Sequence, residues 1–304
     1  MSRGAATLIG LVAVLLWATL APLTVLAVGV PPFQLVAMSF TLGTGIGLAY
    51  LAARPEARTE LKRITWPAAL LGVAGLLGFH FFYFLSLSLA PPLEANLVNY
   101  LWPLLIVLFS ALLPNAQGRL RAHHLLGAGL AFAGAVLAIT KGRALPSLSS
   151  DALAGYGVAL LSALTWSSYS VLSRLFAAVP SSAVTIYCAA TAIAAAFAHF
   201  SLEPTTWPLS ATQWLAAAGL GLGPVGLAFY VWDHGCKHGD LRVLGTSAYF
   251  APLLSTILLV LFGLAAGSPV LWIAAFAITG GALLASKDML RGRSNPAKTA
   301  KAEA

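Results

Sequence analysis

The sequence predicts an all-α membrane protein of ten transmembrane helices, arranged as two inverted five-helix repeats around a central cavity. Three observations lead to this fold class. The chain is strongly apolar, its apolar residues form ten segments separated by short breaks, and its two halves share motifs at one constant offset. Hydrophobic residues make up 59% of the 304 residues and charged residues only 9%, whereas a soluble domain has about 25% charged residues. We therefore expect lipid to surround most of the chain.

The ten apolar segments are the predicted membrane spans, because a helix needs about 20 apolar residues to cross a bilayer with its backbone polar groups satisfied internally. Turn signals such as Pro31-Pro32, Pro91-Pro92 and Ser268-Pro269 separate neighbouring segments. The first segment is longer than a signal-peptide core, so we expect a retained helix. The predicted spans are residues 4–28, 33–53, 66–89, 94–113, 122–140, 153–176, 182–201, 212–234, 243–265 and 269–286.

Basic residues predict the orientation of these spans, because cytoplasmic loops carry an excess of Lys and Arg. If the N-terminus is inside, all 17 basic residues except Lys141 and Arg143 fall on the cytoplasmic side. Both termini are therefore predicted to be cytoplasmic, and the basic residues 289–304 are predicted to form a disordered tail. The formal net charge of +8 follows from this topology. We expect no nucleic-acid partner, because no basic patch or nucleic-acid motif accompanies the charge.

Two motifs recur between the halves at an offset of 149 residues. Leu-Leu-Trp-Ala around Trp17 recurs as Leu-Thr-Trp-Ser around Trp166, and Tyr-Leu-Trp-Pro-Leu-Leu from Tyr100 recurs as Tyr-Phe-Ala-Pro-Leu-Leu from Tyr249. Each half holds five spans, so the second copy must enter the membrane from the opposite side. Residues 1–145 and 146–288 are the two predicted repeats. Inverted repeats are typical of secondary transporters, whose substrate sites lie near the bilayer midplane.

Polar and aromatic side chains at membrane depth predict the lining of the cavity, because they are costly unless they face partners, water or a ligand. Several of them share one helical face within a span. Other roles stay open: Trp and Tyr also form interfacial belts or pack between the halves, and Asn and His also join helices by hydrogen bonds. The predicted substrate-binding residues are Trp17, His80, Tyr83, Asn99, Tyr100, Trp102, Trp166, Tyr169 and Tyr249.

Prolines within or near the spans predict hinges, because proline interrupts helical hydrogen bonding and can kink a helix. The predicted hinge residues are Pro22, Pro103, Pro224 and Pro252, and Pro103 and Pro252 are equivalent in the repeat.

No catalytic residue, cofactor or metal site is predicted. Cys188 and Cys236 lie far apart without a ligand pattern, and the chain contains neither HExxH nor GxSxG. An intramembrane enzyme is thus a disfavoured alternative. A channel is disfavoured as well, because no repeated polar pore lining or selectivity filter is visible.

Three stretches resemble a known family. They are Glu-Ala-Asn-Leu-Val-Asn-Tyr-Leu-Trp-Pro-Leu from Glu94, Thr-Trp-Ser-Ser-Tyr from Thr165 and Tyr-Val-Trp-Asp-His-Gly from Tyr230. Together with the five-plus-five spans, they resemble the drug/metabolite transporter superfamily, in its bacterial exporter branch with EamA domains. The stretch from Glu94 resembles the aromatic amino acid exporters of that branch. The resemblance covers nearly the whole chain and implies export of aromatic and other neutral amino acids across the bacterial inner membrane.

The candidate residues suit such a substrate. Trp and Tyr rings with Asn and His, and little fixed charge, fit a zwitterion with an apolar or aromatic side chain. An aromatic cage also binds quaternary ammonium, so a broad-specificity drug or quaternary-amine exporter is the alternative. No Asp or Glu lies mid-span beside His80, and we therefore predict that transport does not require a proton gradient. The expected partners are the amino acid and the lipid bilayer, and the sequence leaves the oligomeric state open, a monomer included.

Single cysteines test the predicted orientation. In a variant without Cys188 and Cys236, Asp151→Cys should react with a membrane-impermeant maleimide in intact cells, because residue 151 borders a predicted external loop. Arg63→Cys, in a predicted cytoplasmic loop, should react only after the cells are opened. Labelling of Asp151→Cys from the cytoplasmic side alone would contradict the inverted repeat.

Overall fold

The computed structural model of the protein describes residues 2–110, 122–142, 149–176, 178–238, 244, 247–248, 250–285 and 287. These residues are almost entirely helical, and none of them lies in a β-strand. Tyr249, the predicted tail 289–304 and parts of the predicted spans 94–113, 243–265 and 269–286 lie outside the described residues. The helices are α1 Arg3–Ala18, α2 Leu20–Leu26, α3 Pro32–Ala53, α4 Pro55–Glu60, α5 Trp66–Leu89, α6 Pro92–Asn99, α7 Trp102–Ser110, α8 Ala122–Thr140, α9 Ser150–Leu172, α10 Ala183–Leu202, α11 Ala211–Leu222, α12 Ala228–His238, α13 Ala251–Leu261 and α14 Pro269–Ala285.

Six helical segments of the described chain are long and apolar enough to cross a membrane. The remaining predicted spans differ from them for separate reasons. The fourth is divided between α6 and α7, the sixth (α9) is rich in serine, and the described helices of the ninth (α13) and the tenth (α14) have 11 and 17 residues. The all-helical fold is confirmed, whereas the ten-helix inverted arrangement stays a prediction. The six segments are Gly4–Leu26, Pro32–Ala53, Trp66–Leu89, Ala122–Thr140, Ala183–Leu202 and Ala211–Trp232.

Two predicted spans are interrupted where a proline removes a hydrogen bond. The first changes from α1 to α2 at Thr19, and Pro22 lacks the N–H that would bond to the carbonyl of Ala18. The N–H and the hydroxyl of Thr19 instead donate to the carbonyl of Leu16, at 3.0 and 2.6 Å. The fourth span breaks between α6 and α7, where Pro103 lacks the N–H that would bond to Asn99.

The other two predicted hinge prolines lie at an altered turn and at a helix start. Pro224 lies in a π-helical turn, Gly223–Leu227, between α11 and α12, and the N–H of Ala228 donates to the carbonyl of Gly223. Such turns are frequent at functional sites. Pro252 lies in the first turn of α13, a position that tolerates proline because the N–H has no partner within the helix. A hinge movement at these four prolines stays a prediction.

Close packing of the longest helices depends on small residues. The most extensive helix pairs are α8 with α14, α5 with α9, α3 with α10 and α1 with α12. Between α8 and α14 the contact is reciprocal: a Cβ atom at Gly127 would lie 2.5 Å from the carbonyl oxygen of Gly281, and one at Gly281 would lie 2.5 Å from that of Gly127. Neither position has room for a side chain, so glycine sets the distance between the two helices.

The N-terminus of α3 is capped by a carboxylate from a helix far along the chain. Glu203 follows α10 and accepts the N–H groups of Phe33 and Gln34, at 3.0 and 3.2 Å. His199 lies 3.0 Å from the same carboxylate through Nδ1 and 2.9 Å from the Thr205 hydroxyl through Nε2. Free N–H groups at a helix start need an acceptor, and a negative charge there is favourable. This network joins one end of α3 to α10.

Removing that carboxylate should destabilise the protein. We expect Glu203→Ala to lower the free energy of unfolding by about 1–3 kcal/mol, because two partly buried donors lose their acceptor. Glu203→Gln, which keeps one acceptor, should lose less. The measurement is the midpoint of thermal unfolding in detergent. Glu56→Ala is the control, because its contact with Arg54 is long, 3.7 Å, and exposed. Equal midpoints for Glu203→Ala and Glu56→Ala would contradict the capping role.

Candidate functional site

A cavity lies at the centre of the molecule, where interrupted helices meet. It encloses about 450 Å³ of space not occupied by protein atoms, a volume that includes the open mouth. Seven of the nine predicted substrate-binding residues line it, although their contact with a substrate stays a prediction. The lining consists of Trp17, Leu20, Phe79, His80, Tyr83, Asn99, Tyr100, Trp102, Trp166, Phe229 and Ala251.

Helix breaks bring many of these side chains to the cavity. Asn99 ends α6, Tyr100 lies in the break and Trp102 begins α7. Leu20 begins α2 and Ala251 begins α13. In membrane transporters, discontinuous helices place polar groups beside the substrate, because irregular backbone is tolerated only where it is buried in protein or lines a cavity.

Aromatic rings from both halves of the chain form one wall of the cavity. Trp17 and Trp166 meet edge to face, with ring centroids 6.4 Å apart at 75°. Phe229 lies 6.4 and 5.9 Å from these two rings, and Phe79 lies 5.1 Å from Trp166. Trp232 supports Trp17 from 5.0 Å. The two tryptophans therefore pack between the halves and line the cavity at the same time.

His80 is a buried ring surrounded by aromatic neighbours. Its Nδ1 lies 2.9 Å from the carbonyl oxygen of Leu76. Because a carbonyl can only accept, Nδ1 carries the proton, and in the neutral ring Nε2 is then a hydrogen-bond acceptor. Phe40 and Phe79 lie edge to face with the imidazole at centroid distances of 4.9 Å. The site thus holds a histidine in a defined tautomer.

Asn99 places an unpaired acceptor in the cavity wall. The side chain is only 2% exposed, and its Oδ1 has no hydrogen-bond partner among the residues that the structure describes. A buried amide oxygen without a partner is unfavourable. A ligand that donates a hydrogen bond here would remove that cost.

A hydrogen-bonded chain lies behind the cavity wall. The Tyr83 hydroxyl donates to Asn96 Oδ1 at 2.8 Å, and Asn96 Nδ2 donates to Ser255 Oγ at 3.0 Å. Tyr83 and Tyr100 line the cavity, whereas Asn96 and Ser255 do not.

Tyr169 and Tyr249 are the other two predicted substrate-binding residues. Tyr169 is not among the lining residues. Its ring lies 5.3 Å from that of Trp166 and fills the space beside Gly75, where a Cβ atom would approach the ring to 2.6 Å. It therefore supports Trp166 from behind. Tyr249 lies outside the described residues.

Four lining residues were missed by the sequence analysis: Leu20, Phe79, Phe229 and Ala251. All four are apolar, and a search for polar groups at membrane depth does not select them. Two signals were available: Phe79 adjoins His80 in the sequence, and the 149-residue offset of the repeat pairs Ala251 with Trp102. Leu20 and Ala251 reach the cavity only because helices begin there.

A helical membrane protein whose interrupted helices surround a small aromatic cavity has the features of a transporter. The chain belongs to the EamA-like transporter family, whose model matches residues 4–140 and again residues 153–287. It is a multi-pass membrane protein.

Several relatives carry a more specific name. The protein named aromatic amino acid exporter YddG of Ancylobacter novellus is 49% identical over 286 residues, which cover 94% of this chain and 98% of the relative. Proteins of the same name from Salmonella typhimurium and Escherichia coli are 28% and 27% identical, each covering 93% of this chain and 97% of the relative. A solved crystal structure of 49% sequence identity has a TM-score of 0.74 and covers 94% of this chain and 99% of that chain.

Proposed function

We propose that this chain exports aromatic and other neutral amino acids across the bacterial inner membrane by alternating access. The observation that carries the proposal is the central cavity. Its wall contains the rings of Trp17, Trp102 and Trp166, and none of its described lining residues is Asp, Glu, Lys or Arg. A carrier of anions or cations would be expected to place a fixed opposite charge at such a depth, because an unpaired charge in the membrane is costly. A zwitterion brings no net charge.

The polar groups of the cavity match the parts of an amino acid. The ammonium group is a donor, and Asn99 Oδ1 and the Nε2 of His80 are acceptors. The carboxylate is an acceptor, and the hydroxyl of Tyr100 is a donor. An aromatic side chain gains about 0.5–1.5 kcal/mol from each ring pair beyond its burial. The names of the relatives support the same class of substrate.

We further propose that the fold consists of two inverted five-helix repeats, residues 1–145 and 146–288. The family model matches twice, once in each half. Exchanging the halves converts the pair α5–α9 into the pair α12–α1, and both pairs are extensive. The reciprocal contact of Gly127 and Gly281 is of the kind that two symmetry-related helices make. In such a protein, exchanging the conformations of the halves moves the opening from one side to the other.

The distribution of basic residues supports both termini on the cytoplasmic side, with residues 289–304 as a cytoplasmic tail. Pro22, Pro103 and Pro224 lie at helix interruptions and Pro252 at a helix start. These positions are the proposed hinges, because the helix on either side can reorient without losing a hydrogen bond.

An exporter of quaternary amines is the second candidate, because the cluster of Trp17, Trp166 and Phe229 could hold an ammonium group by cation–π contact. Purified protein in liposomes distinguishes the two. Labelled Trp should enter with saturation and counterflow, and unlabelled Phe and Tyr should compete. Competition by tetraethylammonium together with no transport of amino acids would overturn the proposal in favour of the amine exporter.

The cavity aromatics should control transport. We expect Trp17→Ala, Trp166→Ala and Tyr100→Ala each to reduce uptake of labelled Trp at low concentration about tenfold, because each loses ring contacts worth about 1 kcal/mol or more. Membrane insertion should persist. Trp214→Ala is the matched control, because this tryptophan is 46% exposed and stacks on Trp207 away from the cavity. Normal uptake by all three cavity variants at equal protein amounts would assign these residues to packing.

Transport should not require a proton gradient. The described lining includes no carboxylate, and strongly coupled carriers use Asp, Glu and His relays inside the membrane. Flux of labelled Trp down its own gradient should therefore continue in the presence of a protonophore, in the wild type and in His80→Gln. The prediction is wrong if substrate accumulates uphill only under an imposed pH gradient and His80→Gln abolishes that accumulation while leaving exchange intact.

A further inference from the structure

We propose that Ser255, which does not line the cavity, is a positioning residue that sets the orientation of Tyr83 through Asn96 and thereby the affinity for the substrate. The inference deepens the proposed function and rests on it. Tyr83 and Asn96 come from the first half of the chain, and Ser255 comes from the second half.

The hydroxyl of Ser255 is used in an unusual way for a serine in a membrane helix. Ser and Thr in such helices commonly donate to the carbonyl one turn earlier in their own helix. Thr256, the next residue, does so, with its hydroxyl 2.8 Å from the carbonyl of Pro252. Ser255 is equally buried, at 0% exposure, yet its described hydrogen-bond partner is Asn96 on the first half. The Thr256 hydroxyl thus bonds within its own helix, whereas the Ser255 hydroxyl bonds to the other half of the chain.

Ser255 fixes Tyr83 through the amide of Asn96. Because Ser255 Oγ accepts from Nδ2 at 3.0 Å, Oδ1 of the same amide must point the other way, and there it accepts from the Tyr83 hydroxyl at 2.8 Å. Without the serine hydroxyl the amide can turn, and its NH₂ group would then face Tyr83. Asn96 is 1% exposed, so no solvent replaces the lost partner. One hydroxyl therefore controls the direction of the Tyr83 hydroxyl on the cavity wall.

This arrangement joins the cavity wall to the start of α13. Ala251, one turn before Ser255, lines the same cavity. A shift of α13 relative to α6 would break the hydrogen bond between Ser255 and Asn96 and release Tyr83. In alternating access, the state that binds substrate tightly would thus be the one in which Ser255 contacts the first half.

The experiment compares Ser255→Ala with Thr256→Val, a control that removes the neighbouring hydroxyl. We measure the half-saturation concentration and the maximal rate for labelled Trp in liposomes, together with the near-ultraviolet circular dichroism of the purified proteins. We expect Ser255→Ala to raise the half-saturation concentration about five- to tenfold with the maximal rate within about twofold. Its dichroism should change even without substrate. Thr256→Val should match the wild type in both readouts.

A background that lacks the Tyr83 hydroxyl separates positioning from packing. In Tyr83→Phe protein, adding Ser255→Ala should change the half-saturation concentration less than about twofold, because Asn96 then has no tyrosine hydroxyl to orient. A full five- to tenfold effect in that background overturns the inference. So does wild-type affinity in Ser255→Ala with only a lower thermal midpoint, which indicates a structural role.

The outcomes also separate this inference from the proposed function. Failure of the wild type to transport any amino acid rejects the proposed function. A wild type that transports Trp, with unchanged kinetics and dichroism in Ser255→Ala, rejects only the role of Ser255.

Discussion

Every polar group of a backbone inside lipid must be satisfied within the protein, and the centre of this molecule is organised by the places where helical hydrogen bonding is interrupted. Pro22 and Pro103 each remove a donor from a predicted span, and a new helix begins within a few residues. Such interruptions are tolerated where they are enclosed by neighbouring helices or face a cavity. The cavity of this protein lies beside both of them, lined by Leu20, Tyr100 and Trp102.

Packing around that cavity depends on small residues. Gly127 and Gly281 bring α8 and α14 into backbone contact, and Gly75 leaves space for the ring of Tyr169. Lipid provides no hydrophobic drive for helices to associate, so close approach and interhelical hydrogen bonds hold them together. Glu203, which caps α3 from the end of α10, makes interhelical hydrogen bonds of this kind. The large rings can therefore concentrate at the centre, where they face the cavity.

The chemistry of the cavity follows from the free-energy cost of burying a charge inside a membrane. Aromatic rings, an asparagine amide, an imidazole and tyrosine hydroxyls are neutral, so they can be buried where a fixed charge would be costly. Their donors and acceptors suit a zwitterion whose own charges remain close together. Behind them, Asn96 accepts from the Tyr83 hydroxyl and donates to Ser255. Selectivity in such a site depends on orientation as much as on composition.

The sequence by itself determined the helical membrane class, because a chain with 9% charged residues and long apolar segments has few alternatives in water. It also identified seven lining residues, since polar and aromatic groups at membrane depth are conspicuous, and it resembled the correct family. Only the tertiary structure decided that Tyr169 supports Trp166, that Phe229 and Leu20 reach the cavity, and that Ser255 and Thr256, adjacent hydroxyls in one helix, have different partners. The physical reason is that a periodic pattern gives the face of a helix, whereas the neighbour on that face depends on how distant helices cross.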